Sequence, residues 1–244
     1  ERLLSDMVRA ADPGETTVDP VMLSRLEANL AAVRHEAGFP DAVDLLEEAL
    51  AAAEALTPSG ARTVPVRSNL SVALHDAGRL DEAEAHALIA AREAADEGGE
   101  RSPEALRARA NLAAVRRDLG QAAEAAGLLR STFEDARRVL GRHHPQTLAI
   151  QASLAAVLHE TGDRKEGAKL LRDVVDRRAK DFGTAHPATL QARTNLGFLH
   201  LAEGDTARAQ DQFQQVLDDG DGTGDADAVL ARAGDGLSQA RGRR

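Results

Sequence analysis

The sequence predicts an all-α fold built from stacked, antiparallel helix pairs, on three observations. Hydrophobic residues make up 43% of the 244 residues, yet aromatics are only 2%, with no Trp and no Tyr. Ala, Leu and Val must therefore pack the core, and Ala and Leu both favour helix. Gly and Pro punctuate apolar stretches of helical period, and alternating β-branched runs are scarce. Finally, one pattern repeats along the chain: Asn-Leu followed eight residues later by Gly.

That pattern occurs at Asn29-Leu30…Gly38, Asn69-Leu70…Gly78, Asn111-Leu112…Gly120 and Asn195-Leu196…Gly204, with Ser153-Leu154…Gly162 completing the series. Successive units are 40, 42, 42 and 42 residues apart. A period of this size marks a repeat architecture. Each unit reads as two helices. The first ends at the Gly, a helix stop able to take φ > 0. The second opens with segments such as Arg79-Leu80-Asp81-Glu82-Ala83, whose acidic residues suit the positive end of a helix. Ser102-Pro103, His144-Pro145 and His186-Pro187 separate units, with Pro at a first helical position where its missing N–H costs nothing.

The expected organisation is a single array: a lone second helix at 1–12, repeats at 19–58, 61–98, 103–141, 145–183 and 187–219, an acidic glycine loop at 220–225, and a terminal capping helix at 226–241. One helix pair cannot bury its apolar stripe alone, so neighbours must stack. The lone terminal helices would each leave an apolar face that a second copy of the chain could cover. The start, without Met and inside a helical pattern, suggests a piece of a longer protein.

Numbering each first helix so that the Leu of Asn-Leu is position 7 places positions 3, 7 and 10 on one side. They hold Leu26, Leu30, Val33; Val66, Leu70, Ala73; Ala108, Leu112, Val115; Ile150, Leu154, Val157; and Ala192, Leu196, Leu199, which is the expected core stripe. The recurrent amide at position 6, in Asn29, Asn69, Asn111 and Asn195 with Ser153 in the fourth unit, lies off that stripe. Asn is a poor helix former, so something else favours it. A row of amides could meet the N–H and C=O groups of an extended peptide, or each could bond a neighbouring helix. Position 12 carries His35, His75, Arg117 and His159; position 13 carries Glu36, Asp76, Asp118 and Glu160. These columns could pair with each other or select a partner of mixed charge. Arg25 and Arg107 at position 2 could add an anion-binding corner. Position 9 is small in most units but Phe198 in the fifth, where it would cap a groove or fill core.

Several chemistries are disfavoured. With no Cys there are no disulfides, no thiolate catalysis and no Cys-ligated zinc. The eight His include no HExxH, and His before Pro reads as a turn element. The stretch Asp218–Asp227 looks briefly like a calcium loop, but Leu230 stands where the bidentate Glu is required. No phosphate-cradling glycine loop and no G-x-S-x-G turn appear. No cofactor, metal or enzymatic activity is therefore expected. The net charge of −10 argues against nucleic acid as a partner, and no apolar run approaches the ~18 residues of a membrane span. A cytoplasmic location is the default, and the Arg, Ala and Gly bias suggests a bacterial source.

The segment Thr194-Asn195-Leu196-Gly197…Gly204-Asp205…Ala209…Phe213 resembles the tetratricopeptide repeat, position by position. The 42-residue period and the entries His144-Pro145-Gln146-Thr147-Leu148 and His186-Pro187-Ala188-Thr189-Leu190 are similar to the kinesin light chain subclass, whose arrays also occur in bacterial signalling proteins. The resemblance implies a right-handed superhelical solenoid that works as a protein- or peptide-binding scaffold. It also implies that the asparagines, here Asn29, Asn69, Asn111 and Asn195, line a concave groove. An alternative is a ligand-sensing arm of a larger regulatory protein. The sequence departs from the family at its usual Trp and Tyr positions, which hold Arg67, Arg109, Gln151 and Arg193, then Leu74, Arg116 and Leu158.

Overall fold

The computed structural model describes residues 41–56, 63–220 and 227–242. Among them the chain forms α1 (Ala42–Leu56), α2 (Val64–Asp76), α3 (Leu80–Gly98), α4 (Pro103–Asp118), α5 (Ala122–Val139), α6 (Pro145–Glu160), α7 (Arg164–Phe182), α8 (Pro187–Ala202), α9 (Thr206–Gly220) and α10 (Asp227–Gly242). No strand occurs among the described residues. The expected elements at residues 1–12, the first helix of the 19–58 unit and the acidic loop lie outside the described residues, as do Arg25, Asn29 and His35.

Each helix start and stop has a local cause. Ser102 Oγ accepts from Ala105 N at 3.2 Å, and Pro103 fills the first turn behind it. His144 Nδ1 and His186 Nδ1 do the same service for Gln146 N and Ala188 N, each at 3.2 Å. The His-Pro pair is thus a cap joined to a pre-set φ, with an imidazole nitrogen standing in for the usual hydroxyl. First helices end at Gly78, Gly120, Gly162 and Gly204, all at φ between 76° and 98°. There the chain closes a Schellman turn, with Arg79 N reaching Leu74 O at 2.9 Å and Gln121 N reaching Arg116 O at 2.8 Å.

Contacts divide the chain into two compact units between Leu128 and Leu129. In the first, Leu46, Leu50, Val66, Leu70, Leu74 and Val115 form the core between α1, α2, α3 and α4. In the second, Leu148, Leu171, Val174, Leu196 and Leu199 join α6, α7 and α8. Phe213, Val216, Ala233 and Leu237 join α9 and α10. Every described member of the 3-7-10 stripe is buried. The apolar face of α10 is spent on this packing, since Ala233, Leu237 and Ala240 are all buried.

The family's Trp position carries a polar fastener instead. Arg67 is buried and its guanidinium bonds Glu54 Oε1 at 2.6 Å and Glu93 Oε2 at 3.3 Å, while Thr63 Oγ1 donates to the same Glu93 oxygen at 2.7 Å. Gln151 Nε2 bonds Leu170 O and Asp173 Oδ2, both at 2.9 Å. Arg193 holds Asp219. At the Tyr position, Arg116 Nε bonds Glu84 at 2.9 Å, and Leu74 and Leu158 are fully buried. A removed partner would leave a buried charge uncompensated, so these pairs fix which residues of two helices face each other.

Candidate functional site

The amide-bearing side of the first helices is the candidate site, and the structure distinguishes its members. Asn69 on α2, Asn111 on α4, Ser153 on α6 and Asn195 on α8 are each half-buried beside the buried Leu of the stripe. The side chains of Asn69, Asn111 and Ser153 bond nothing among the described residues. Asn195 is engaged: its Oδ1 accepts from Gln191 Nε2 at 3.1 Å and from Arg232 Nη1 at 3.0 Å. Arg232 comes from α10 and also lies 4.9 Å above the Phe198 ring. Phe198 meets Phe213 edge-on at 4.9 Å. At position 9, then, Phe198 is partly buried filling between α8, α9 and α10, and α10 covers the Asn195 end.

In the first unit α2 and α4 pack side by side, which sets Asn69 and Asn111 on adjacent helices of one face. Ala114 is half-buried and Val72 is 38% exposed at the small position between them and the solvent. Arg107 is exposed and forms no ion pair among the described residues. The basic and acidic columns pair with each other here. His75 Nε2 lies 2.7 Å from Asp118 Oδ2, His75 Nδ1 lies 3.1 Å from Asp76, and Arg117 Nε bonds Asp118 Oδ1 at 2.7 Å. The Arg117 guanidinium, and then His75, hold the Asp118 carboxyl below its ordinary range. His75 therefore stitches α2 to α4 through Asp118, which Arg117 braces from within α4, a structural use of the two columns.

His159 is different. Its Nε2 is buried with no hydrogen-bond partner, and burial, then the nearby Arg164, lowers its pKa. No group of three or more His, Cys, Asp or Glu among the described residues is placed to hold a metal ion, and no described helix is long and apolar enough to cross a membrane. The polar fasteners at Arg67 and Arg193 were invisible to the helical wheel. Their common offset of 26 residues, Arg67 to Glu93 and Arg193 to Asp219, is the signal that could have exposed them.

Comparison with known proteins agrees with this architecture. The family model described as "Tetratricopeptide repeat" matches residues 104–180 and 152–219. No curated protein sequence matches the chain. Among solved structures, the kinesin light chain-type, nearly identical TPR-like repeats of Podosopora anserina are 28% identical, with a TM-score of 0.64 over 82% of this chain and 95% of that one. BtubC (BKLC) from P. vanneervenii is 23% identical, with a TM-score of 0.66 over 99% of this chain and 89% of that one. A Rap protein complexed with Competence and Sporulation Factor is 14% identical, with a TM-score of 0.71 over 97% and 69% of the respective chains. The last two likenesses concern the fold alone. Matched by that family's model over residues 104–219, and carrying the same helix pair upstream in α2 and α3, the described residues share the helix-pair architecture of tetratricopeptide-type repeats, a family that commonly mediates protein–protein interaction.

Proposed function

We propose that the chain is a scaffold that holds an extended segment of a partner protein against α2 and α4, with Asn69 and Asn111 gripping its backbone. The observation that carries this reading is the pair of half-buried amides with no bond among the described residues, on adjacent helices of one face. An amide offers two donors and an acceptor, so two of them can satisfy successive peptide groups of an extended chain. Small side chains at position 9 leave the backbone room to approach, and the unpaired Arg107 offers a contact to an anionic side chain. The Rap neighbour, complexed with Competence and Sporulation Factor, lends support from the same fold. Asn195 takes no part, because Arg232 and Gln191 already occupy its oxygen.

Peptides selected on the wild-type chain from a random display library test this. The double variant Asn69→Ala, Asn111→Ala should bind them at least tenfold more weakly, about 1.4 kcal/mol, with helical content unchanged. Asn195→Ala should bind as the wild type does. Equal affinity in the double variant would overturn the assignment.

A further inference from the structure

All three lysines of the chain, Lys165, Lys169 and Lys180, lie on α7, although Arg serves as the cation everywhere else. Lys165, Lys169 and Arg172 are spaced by four and three residues, so they form one stripe along that helix. The stripe lines a cleft of about 830 Å³ whose other walls are His200 and Glu203, from α8 and its end, and Arg208 from α9. Helices α7 and α9 each run antiparallel to α8, so both turn their positive ends toward the Lys165 end of the cleft. Arg208 sits in the first turn of α9 and pairs with Asp205 of the same turn at 3.3 Å. Lys165 and Lys169 have no anionic partner among the described residues.

The floor of the cleft carries an independent sign of a missing ligand. His200 is 4% exposed, and its Nδ1 makes no hydrogen bond. Glu203 Oε2 stands 3.5 Å from that nitrogen, within ion-pair reach but without a hydrogen bond. A buried imidazole nitrogen left without a hydrogen bond is unusual, since buried polar groups are nearly always satisfied. The remaining acids are either bound or distant from the lysine end. Asp173 is held by Arg177 Nε at 2.9 Å and by Gln151 Nε2 at 2.9 Å. Asp176 lies three helical turns beyond Lys165.

We infer that this cleft between α7, α8 and α9 binds a compact anion of the phosphate class, with Lys165, Lys169 and Arg208 meeting its charge and His200 Nδ1 meeting one of its oxygens. The site lies on the second-helix side of its unit and is independent of the amide face of α2 and α4. Two ammonium groups and one guanidinium around a single anion provide charge-assisted hydrogen bonds, which are the strong ones. Glu203 opposes binding and sets its limit, because its carboxylate stands beside the same nitrogen.

Titration of the full chain with inorganic phosphate, followed by calorimetry and by the His200 imidazole resonances, tests the inference. Glycerol phosphate runs in a parallel arm to separate free phosphate from a phosphomonoester. Saturable binding in either arm, with the His200 signals moving along the same isotherm, is the expected result. Lys165→Ala with Lys169→Ala, both exposed, should weaken it at least tenfold. Lys180→Ala, on the same helix but outside the cleft, should leave it unchanged, and Glu203→Gln should tighten it. Three outcomes would overturn the inference: absence of saturable binding, equal binding by the lysine double variant, or preference for a polyglutamate peptide over both phosphates.

Discussion

Phe213 is fully buried, and its ring is held between two glycines. A Cβ on Gly197 of α8 would stand 2.6 Å from Phe213 Cε1, and one on Gly236 of α10 would stand 2.5 Å from Cζ and 2.7 Å from Cε1. Carbon atoms pack best at about 3.5–4.0 Å, so Gly236→Ala forces roughly an ångström of movement on a ring with no free volume on its opposite side. Overpacking of this kind costs about 1–3 kcal/mol. The same change gains up to about 1 kcal/mol from helix propensity. Gly234, two residues earlier in α10, provides the calibration, because a Cβ there meets nothing within 4 Å. Both substitutions carry the same propensity gain, so the difference between them isolates the clash. Gly234→Ala should stabilise the chain by up to about 1 kcal/mol, and Gly236→Ala should destabilise it by about 1 kcal/mol. Urea denaturation followed by far-UV circular dichroism reads both. Adding Phe213→Leu to Gly236→Ala should cost less than the sum of the two single changes, because the two sites touch. Gly236→Ala proving as stabilising as Gly234→Ala would refute the packing argument.

Other perturbations follow from the polar groups. Arg67→Ala removes the cation from Glu93, whose side chain is 21% exposed, leaving it the Thr63 hydroxyl, and should lower stability by about 2 kcal/mol. Glu54→Gln should cost less than half of that, since Glu54 is 51% exposed and its pairing is screened by solvent. Ser102→Ala removes the cap of α4 and should cost about 1 kcal/mol, measured as a shift in urea midpoint. His86 and His159 both have pKa values lowered from 6.5, chiefly by burial, with Arg67 acting on the first and Arg164 on the second. As pH falls below 6.5 the unfolded chain takes up these protons before the folded one does, so stability present above that value drops. Glu97, raised by burial and by Glu93 and Glu104, works in the opposite sense at lower pH. The urea midpoint should therefore decline from about pH 7.5 to about pH 5.5. A variant with Gln at both His86 and His159 should decline less, and an identical decline would exclude these two groups.

How much of this could be read from the residues alone follows from range. Helix period and breakers act within a few residues, so the Leu70, Leu112, Leu154 and Leu196 stripe and the stops at Gly78 and Gly120 were legible. The His144 and His186 positions read as turns, and the structure adds that each imidazole closes a helix end. The placement of Asn69 and Asn111 beside the buried Leu stripe was also legible, because a helical wheel fixes direction. Which amides are free was not, because the group that occupies Asn195 arrives from Arg232, 37 residues downstream on a different helix. The charge columns were read as either self-pairing or partner-selecting. Settling that choice for His75 needed the distance to Asp118 across α2 and α4, which no local pattern contains. The cleft under Lys165 and Lys169 was missed for the same reason: its walls come from three helices, and none of its residues belongs to the recurring motif.

Helix α10 rests against α8 as α4 rests against α2, and Arg232 reaches back to the amide of its neighbour. It occupies the berth that a further module's opening helix would need. There it covers the apolar side of α8 and α9 through Ala233, Leu237 and Ala240, as an opening helix covers the pair before it.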